Sequence, residues 1–190
     1  SDVCAIVQLQ DITATRAMAA QLAHQASHDA LTELINRHEC EQRIAQAIKS
    51  VRIDRGAHAL LFLDLDMFKV VNDSCGHAAG DALLKQTAAL LAGMVRRHDS
   101  VARFGGDEFA VLLEHCTAEQ ALEIAHKLCH GVAASGFAWG DKHFDTGCSV
   151  GVAAIASPDT TVANVIKAAD GACHAAKVLG RNRVYQFRPD

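Results

Sequence analysis

The sequence predicts an α+β fold in which helices flank a mixed central sheet. Two observations carry this. Helical and strand-like stretches alternate along the chain. An antiparallel hairpin, centred on Gly105-Gly106, interrupts the alternation, so the sheet cannot be all parallel.

The elements follow in chain order. Val3 to Leu9 is strand-like, and Asp11 or Thr13 can cap what comes next. Residues 14–27 lack Gly and Pro and place Met18, Leu22 and Gln25 near one face, which predicts a helical connector suited to a two-stranded coiled coil. Residues 37–55 read as a helix with Ile44, Ala47, Ile48 and Val51 on its apolar side. Residues 59–65 form an apolar run ending in acid, as expected of a buried strand. A short helix is predicted over 67–72, a polar loop over 72–81, and a longer helix over 80–97 with Leu83, Leu84, Leu90, Leu91 and Met94 apolar. After the hairpin, Thr117 caps a helix to about residue 133. Residues 144–155 are strand-rich, with a hairpin partner near Phe137. A last helix runs over 162–179 to Gly180, and 184–187 closes as a strand.

Bulk properties narrow the function. At 190 residues the chain is one domain with an extension, long enough for a sizeable core. No apolar run reaches the roughly 18 residues of a membrane span. The formal charge of -4 argues against a general nucleic-acid binder. The chain opens on Ser1 without a signal-peptide pattern, and upstream sequence is expected. Seven cysteines, none in a Cys-x-x-Cys pair and most in apolar stretches, read as reduced and partly buried in a cytoplasmic protein, which an upstream segment could still tether to a membrane. Of the eleven histidines, His126 and His130 have metal-compatible i,i+4 spacing, but with no third ligand nearby they read as a surface helix face.

The chemistry-bearing signal is Arg103-Phe104-Gly105-Gly106-Asp107-Glu108-Phe109. Glycine accepts positive φ at a tight turn and lets a phosphate approach. Adjacent carboxylates at that turn repel each other, and a cation would relieve the repulsion; a polar hairpin tip is the competing reading. Asp64 and Asp66, at i and i+2 on a strand end, point to one side. The spacing is not that of a calcium loop, because Phe68 stands where a third acid belongs. Carboxylates from two adjacent strands instead suit Mg²⁺ shared with substrate phosphates, as in nucleotidyl transfer. Asp64 as a cap of the next helix is the plainer alternative. Asn72 and Asp81 match the hydrogen-bonding edge of a purine. His77 either contacts substrate or braces its loop. Lys177 and Arg181, at i,i+4 near the end of the last helix, can share one face and hold phosphates, although a helix C-terminus attracts cations in any case.

Together these residues resemble the diguanylate cyclase family, named after its Gly-Gly-Asp-Glu-Phe signature. The resemblance covers about residue 28 to the C-terminus. It includes Asp29-Ala30-Leu31-Thr32, Asn36-Arg37, Asp64-x-Asp66-x-Phe68-Lys69, Asn72-Asp73, Gly76-His77, Gly80-Asp81, Ala169-Asp170, Ala176-Lys177 and Gly180-Arg181-Asn182. It implies a fold similar to class III nucleotide cyclases and polymerase palms, with a ferredoxin-like core. It also implies that two GTP are joined into cyclic di-GMP with release of pyrophosphate. On matching positions, Asp64, Asp107, Glu108 and the Leu65 carbonyl hold Mg²⁺ or Mn²⁺, and Asp107 with Glu108 forms the catalytic pair. Asp107 assists deprotonation of the 3′-hydroxyl. Asn72 and Asp81 read guanine, while Lys69, Lys177, Arg181 and the amides near Met67 and Phe68 hold phosphates beside Gly105 and Gly106. Each domain binds one GTP, so a homodimer is required. Arg96-x-x-Asp99, five residues before Gly105, has the family's spacing for product inhibition by cyclic di-GMP; a solvated helix end is the competing reading.

Residues 7–13 resemble the exit strand of a PAS sensor domain. The expected organisation is therefore a sensor tail over 1–13, a linker helix over 14–27 and a cyclase domain over 28–190. Some members of the family continue into a phosphodiesterase domain where this chain ends. Glu33 stands where the family usually has Gly, and Cys173-His174 replace a common Leu-Tyr pair, which predicts altered packing with activity retained. The rival functions are a catalytically silent GTP-binding module that controls a neighbouring domain, and a cyclic di-GMP receptor using Arg96 and Asp99 alone.

Overall fold

A computed structural model describes residues 13–54 and 56–188. The strand-like piece assigned to a sensor tail lies outside the described residues, up to Thr13. Fourteen elements follow: α1 (Thr13–Ser27), β1 (Ile35–Asn36), α2 (Arg37–Asp54), β2 (His58–Asp66), α3 (Phe68–Cys75), α4 (His77–Met94), β3 (Ser100–Gly105), β4 (Glu108–Leu113), α5 (Ala118–Ser135), β5 (Phe137–Trp139), β6 (Lys142–Phe144), β7 (Gly147–Ile155), α6 (Val162–Val178) and β8 (Val184–Gln186).

Six strands form one sheet in the order β1-β3-β4-β2-β7-β8. The four central strands are antiparallel neighbours, and with α3–α4 and α5 as crossovers they make a β-α-β-β-α-β ferredoxin-like core. Strands β1 and β8 extend it in parallel at the two edges, so the sheet is mixed as expected. A separate hairpin, β5–β6, pairs Phe137 with Phe144.

Strand β2 sits at the centre, and its alternation builds two cores. Leu61, Leu63 and Leu65 face one side, packed with Leu83, Leu91 and Leu128. Leu60 and Phe62 face the other, with Ile44, Ile48, Val165 and Ala169. The even-numbered face continues into Asp64 and Asp66, where the strand reaches its polar end. Helix α6 lies close on this face because small residues line its underside: Ala169, Ala172, Cys173 and Ala176 are all buried. Helix α5 begins with a full capping box between Thr117 and Gln120.

Three local expectations are corrected. The polar loop over 72–81 does not exist. Gly76 alone, at φ 82°, turns α3 into α4, so Asn72 and Asp81 both sit on helices. The helix expected to reach residue 97 ends at Met94 with Val95 extended, which leaves Arg96 and Asp99 in a turn beyond it. Helix α6 ends at Val178, and Arg181 adopts a left-handed backbone at φ 58°, so Lys177 and Arg181 do not share a helix face. Glu33 also has a left-handed backbone, φ 60°, a conformation suited to Gly; its side chain is exposed, so the departure is one of backbone strain rather than packing.

Candidate active site

The site is built where β2 ends beside the β3–β4 turn. Asp64 is the register partner of Glu108 across the sheet. The Leu65 N–H donates to the Asp107 carbonyl at 3.2 Å, which pins the turn to β2. At the tip Gly105 (φ 147°) and Gly106 (φ 51°) have open space where a Cβ would stand, so glycine is there for its backbone freedom and leaves the turn uncovered.

A clamp that sequence reasoning gave no role holds this turn. Arg103 Nε and Nη2 donate to the Gly106 carbonyl at 3.1 and 2.8 Å, while Nη1 donates to both carboxylate oxygens of Asp29 at 3.1 and 3.2 Å. Asp29 in turn accepts from the Thr32 N–H (2.9 Å) and hydroxyl (2.7 Å). Burial alone would raise the Asp29 carboxyl, but the bonds from Thr32 and Arg103 outweigh it and hold it below the ordinary range. Asp29-x-x-Thr32 was visible as a motif; its partner lies 74 residues away.

Lys177 Nζ meets Asp64 Oδ2 at 2.6 Å. Burial would lower the Lys177 ammonium, yet Asp64 keeps it above its usual value. Asp64 does not show the matching drop. Its carboxyl is raised, first by burial and then by Asp107 and Asp66, despite Lys177. The two directions are consistent once charges are counted over the whole cluster: one ammonium faces several carboxylates. Glu108 is raised too, by burial first, then by Asp64, Asp170 and Asp107. Asp64 and Asp66 were expected to form a pair, but they part company here. Asp66 is 6% exposed and turned inward, accepting from the Ser149 hydroxyl at 3.0 Å and the Asn182 N–H at 2.9 Å. It braces the turn that carries Arg181, whose Nε is 3.9 Å away.

Among the described residues no three His, Cys, Asp or Glu side chains form a ready metal cage. The donor set still fits Mg²⁺, a hard cation that takes few protein carboxylates and completes its shell with water and phosphate. The excess negative charge at Asp64, Asp107 and Glu108 is what such an ion would neutralise.

The remaining predicted residues sit at the start of and along α3, on α4, and in the turn after α6. Met67, the residue before α3, has a left-handed backbone at φ 70° and is exposed, as is Lys69, while Phe68 is half-buried. Met67, Arg181, Asp66, Thr146, Gly147 and Asn182 line a cavity of about 410 Å³. The Thr146 hydroxyl there is buried and without a hydrogen-bond partner. Asn72 Oδ1 is likewise buried and unpartnered, and its amide lies so close to Gly80 that a Cβ there would collide with it. An unmet acceptor beside a bare glycine suits a ligand that brings its own donor. Asp81 and His77 are exposed on α4. A cavity of about 520 Å³ lies between α1 and residues 28–33, with Asp29 and Glu33 in its lining.

Arg96 and Asp99 line a further cavity of about 270 Å³ with Met94, Ile124 and Lys127. The Asp99 side chain is only 3% exposed, and its carboxylate accepts from the Arg96 N–H (3.0 Å) and the Glu114 N–H (3.2 Å). It shapes the turn, and Arg96 is the exposed member.

The raised Glu108 carboxyl makes a testable prediction. A carboxylate raised in the folded state contributes stability below its unfolded value and loses it as pH rises through the folded one. At neutral pH the nucleotide-free protein therefore carries a penalty, and Glu108→Gln should melt higher than wild type, a gap that closes as pH falls below the ordinary carboxylate range. Thermal unfolding across pH checks this.

The family model for the diguanylate cyclase GGDEF domain matches residues 26–183. Probable diguanylate cyclase DgcE of Escherichia coli K12 is 43% identical over 189 residues, which is 100% of this chain and 17% of that relative. Diguanylate cyclase TpbB of Pseudomonas aeruginosa is 40% identical over 163 residues, 85% of this chain and 38% of the relative. The chain thus spans well under half the length of either curated relative. Among solved structures, the coiled coil and GGDEF domain of DgcB from Caulobacter crescentus, in complex with cyclic di-GMP, superposes with a TM-score of 0.86 at 26% identity, covering 93% of each chain. The GGDEF domain of TpbB from P. aeruginosa gives 0.79 at 36% identity, covering 85% of this chain and 94% of that one.

Proposed function

Since this chain belongs to the GGDEF-domain diguanylate cyclase family, we propose that it condenses two GTP into cyclic di-GMP and pyrophosphate across a homodimer. The carrying observation is the opposed Asp64–Glu108 pair beside Asp107, with more carboxylate charge than Lys177 offsets. Asp64, Asp107, Glu108 and the Leu65 carbonyl would hold Mg²⁺ or Mn²⁺, which when bound supplies activation of the 3′-hydroxyl and neutralisation of the leaving polyphosphate. Lys177, Arg181 and Lys69 hold the phosphates, with the open Gly105-Gly106 turn giving them room. Asn72 and Asp81 read guanine, and Asp107 takes part in removing the hydroxyl proton. Arg103 and Asp29 hold the turn at its working distance from β2.

One domain presents one GTP to a second domain, so the second copy supplies proximity. The exposed Met18 and Leu22, four residues apart on α1, support pairing through that helix, as does the likeness to a structure described as coiled coil and GGDEF domain. Incubating the dimeric protein with GTP and Mg²⁺ and separating the products tests the reading: cyclic di-GMP is expected, and its absence from a confirmed dimer that still binds GTP overturns it.

The cavity at Arg96 supports product inhibition at Arg96-x-x-Asp99. Arg96→Ala should raise the cyclic di-GMP concentration needed for half-inhibition by at least about tenfold, the weight of a charge-assisted guanidinium contact. Initial rates at increasing product concentration measure it. Asp99→Ala is the less informative change, because it also releases two backbone amides.

A further inference from the structure

A second site lies behind the phosphate-holding turn. On α5, Cys129 is 6% exposed and forms the floor of a cavity of about 370 Å³ that His126, His130 and Asn182 also line. Its neighbours at i-3 and i+1 are thus two imidazoles on the same groove. Its thiol donates to the Cys148 carbonyl at 3.3 Å and to Asn182 Oδ1 at 3.7 Å. Cys148 lies beneath it on β7, 1% exposed and packed in the same apolar cluster as Cys129. Both cysteines are free.

We propose that Cys129 and Cys148 form a reversible thiol-oxidation site that takes a peroxide, and that its disulfide state weakens the grip of the Arg181–Asn182 turn on substrate. Cys129 is the attacking thiol because it borders the groove, whereas Cys148 is sealed beneath it. The Cys129 thiolate attacks one peroxide oxygen, the O–O bond breaks, and hydroxide leaves and becomes water on protonation. Cys129, now two electrons oxidised, is a sulfenic acid. The Cys148 sulfur, giving up its proton, attacks the Cys129 sulfur; the S–O bond breaks, water leaves and the S–S bond forms. Two thiols and one peroxide thus give a disulfide and two waters, and a thiol reductant reverses the change by exchange.

The link to the active site runs through Asn182. Its side chain packs on Gly147, where a Cβ would come within 2.7 Å of Oδ1, and its N–H holds Asp66 at 2.9 Å. Asn182 follows Arg181 directly, and both have left-handed backbones. Joining Cys129 to Cys148 withdraws the S–H from Asn182 and leaves the turn with one anchor fewer. This second half rests on the GTP-binding reading above.

The test uses the full chain, reduced, desalted and treated with hydrogen peroxide, then alkylated. Loss of two hydrogens by intact mass, a Cys129–Cys148 linked peptide and its reversal by dithiothreitol are expected. In Cys148→Ser, Cys129 should stop at a sulfenic acid that dimedone traps. GTP binding to the oxidised protein should be weaker by roughly three- to tenfold, the scale of one lost hydrogen bond, and peroxide should change it no further in Cys129→Ala, which lacks that thiol from the start. Alkylated Cys129 and Cys148 after oxidation, or a bridge to Cys173 instead, overturns the site. A formed bridge with unaltered GTP affinity overturns the coupling, whereas a reduced chain that binds no GTP overturns the nucleotide reading and leaves the linked peptide to decide the thiol site.

Discussion

Asp107→Ala should yield a folded protein that makes no cyclic di-GMP, with a rate at least about a thousandfold below wild type, equivalent to some 4 kcal/mol of transition-state stabilisation. The fold should survive because the one hydrogen bond that pins residue 107 to β2 uses its backbone carbonyl, which alanine keeps. What disappears is a carboxylate at the half-buried turn, and with it one of the charges that hold Asp64 and Glu108 above their usual range. Both neighbours should therefore ionise at lower pH in the variant. Product chromatography, with thermal unfolding as the control for integrity, reads the outcome; activity within tenfold of wild type would remove Asp107 from the chemistry.

The second large effect is structural. Gly151→Ala should destabilise the protein by more than about 3 kcal/mol, lowering the melting temperature by roughly ten degrees or preventing soluble expression. A Cβ at residue 151 would stand 2.0 Å from the Ala169 carbonyl oxygen and 2.2 Å from the Cys173 nitrogen, both backbone atoms of α6. No side chain can swing aside, so the helix must lift from β7 and carry Lys177 away from Asp64. Gly171→Ala, on the same helix, provides the contrast. Nothing stands within 4 Å of its Cβ position, so alanine there should be neutral or stabilise by up to about 1 kcal/mol through helix propensity. Equal melting temperatures for the two variants would contradict the close approach of α6 to the sheet.

Much of this was legible because it is encoded locally. The all-apolar run of β2, the glycine turn and the Thr117 cap each announce themselves within a few residues, and the two acidic clusters fall at strand ends where alternation can be counted. What was illegible depends on the third dimension. Asp66 has the same spacing and type as a metal ligand, and only the Ser149 hydroxyl and the Asn182 amide, far along the chain, turn it into a brace. Polar composition over 72–81 suggested a loop, but one glycine at φ 82° suffices to turn a helix corner. The i,i+4 argument for Lys177 and Arg181 failed because Gly180 ended the helix between them. The two-residue β1 is set by its partner β3 rather than by its own composition.

The two faces of β2 divide labour by parity: odd positions fill one core, while even positions fill the other and then supply Asp64. Its length is therefore under a stricter rule than its composition. Swapping one aliphatic for another along 59–63 costs a repacking, but inserting or deleting a single residue there would invert the strand beyond it, sending the Asp64 carboxylate into the oily side against Leu83 and Leu128 and Leu65 out towards Lys177. Descendants of this sequence can vary the chemistry of that strand widely, but they cannot change how many residues it has.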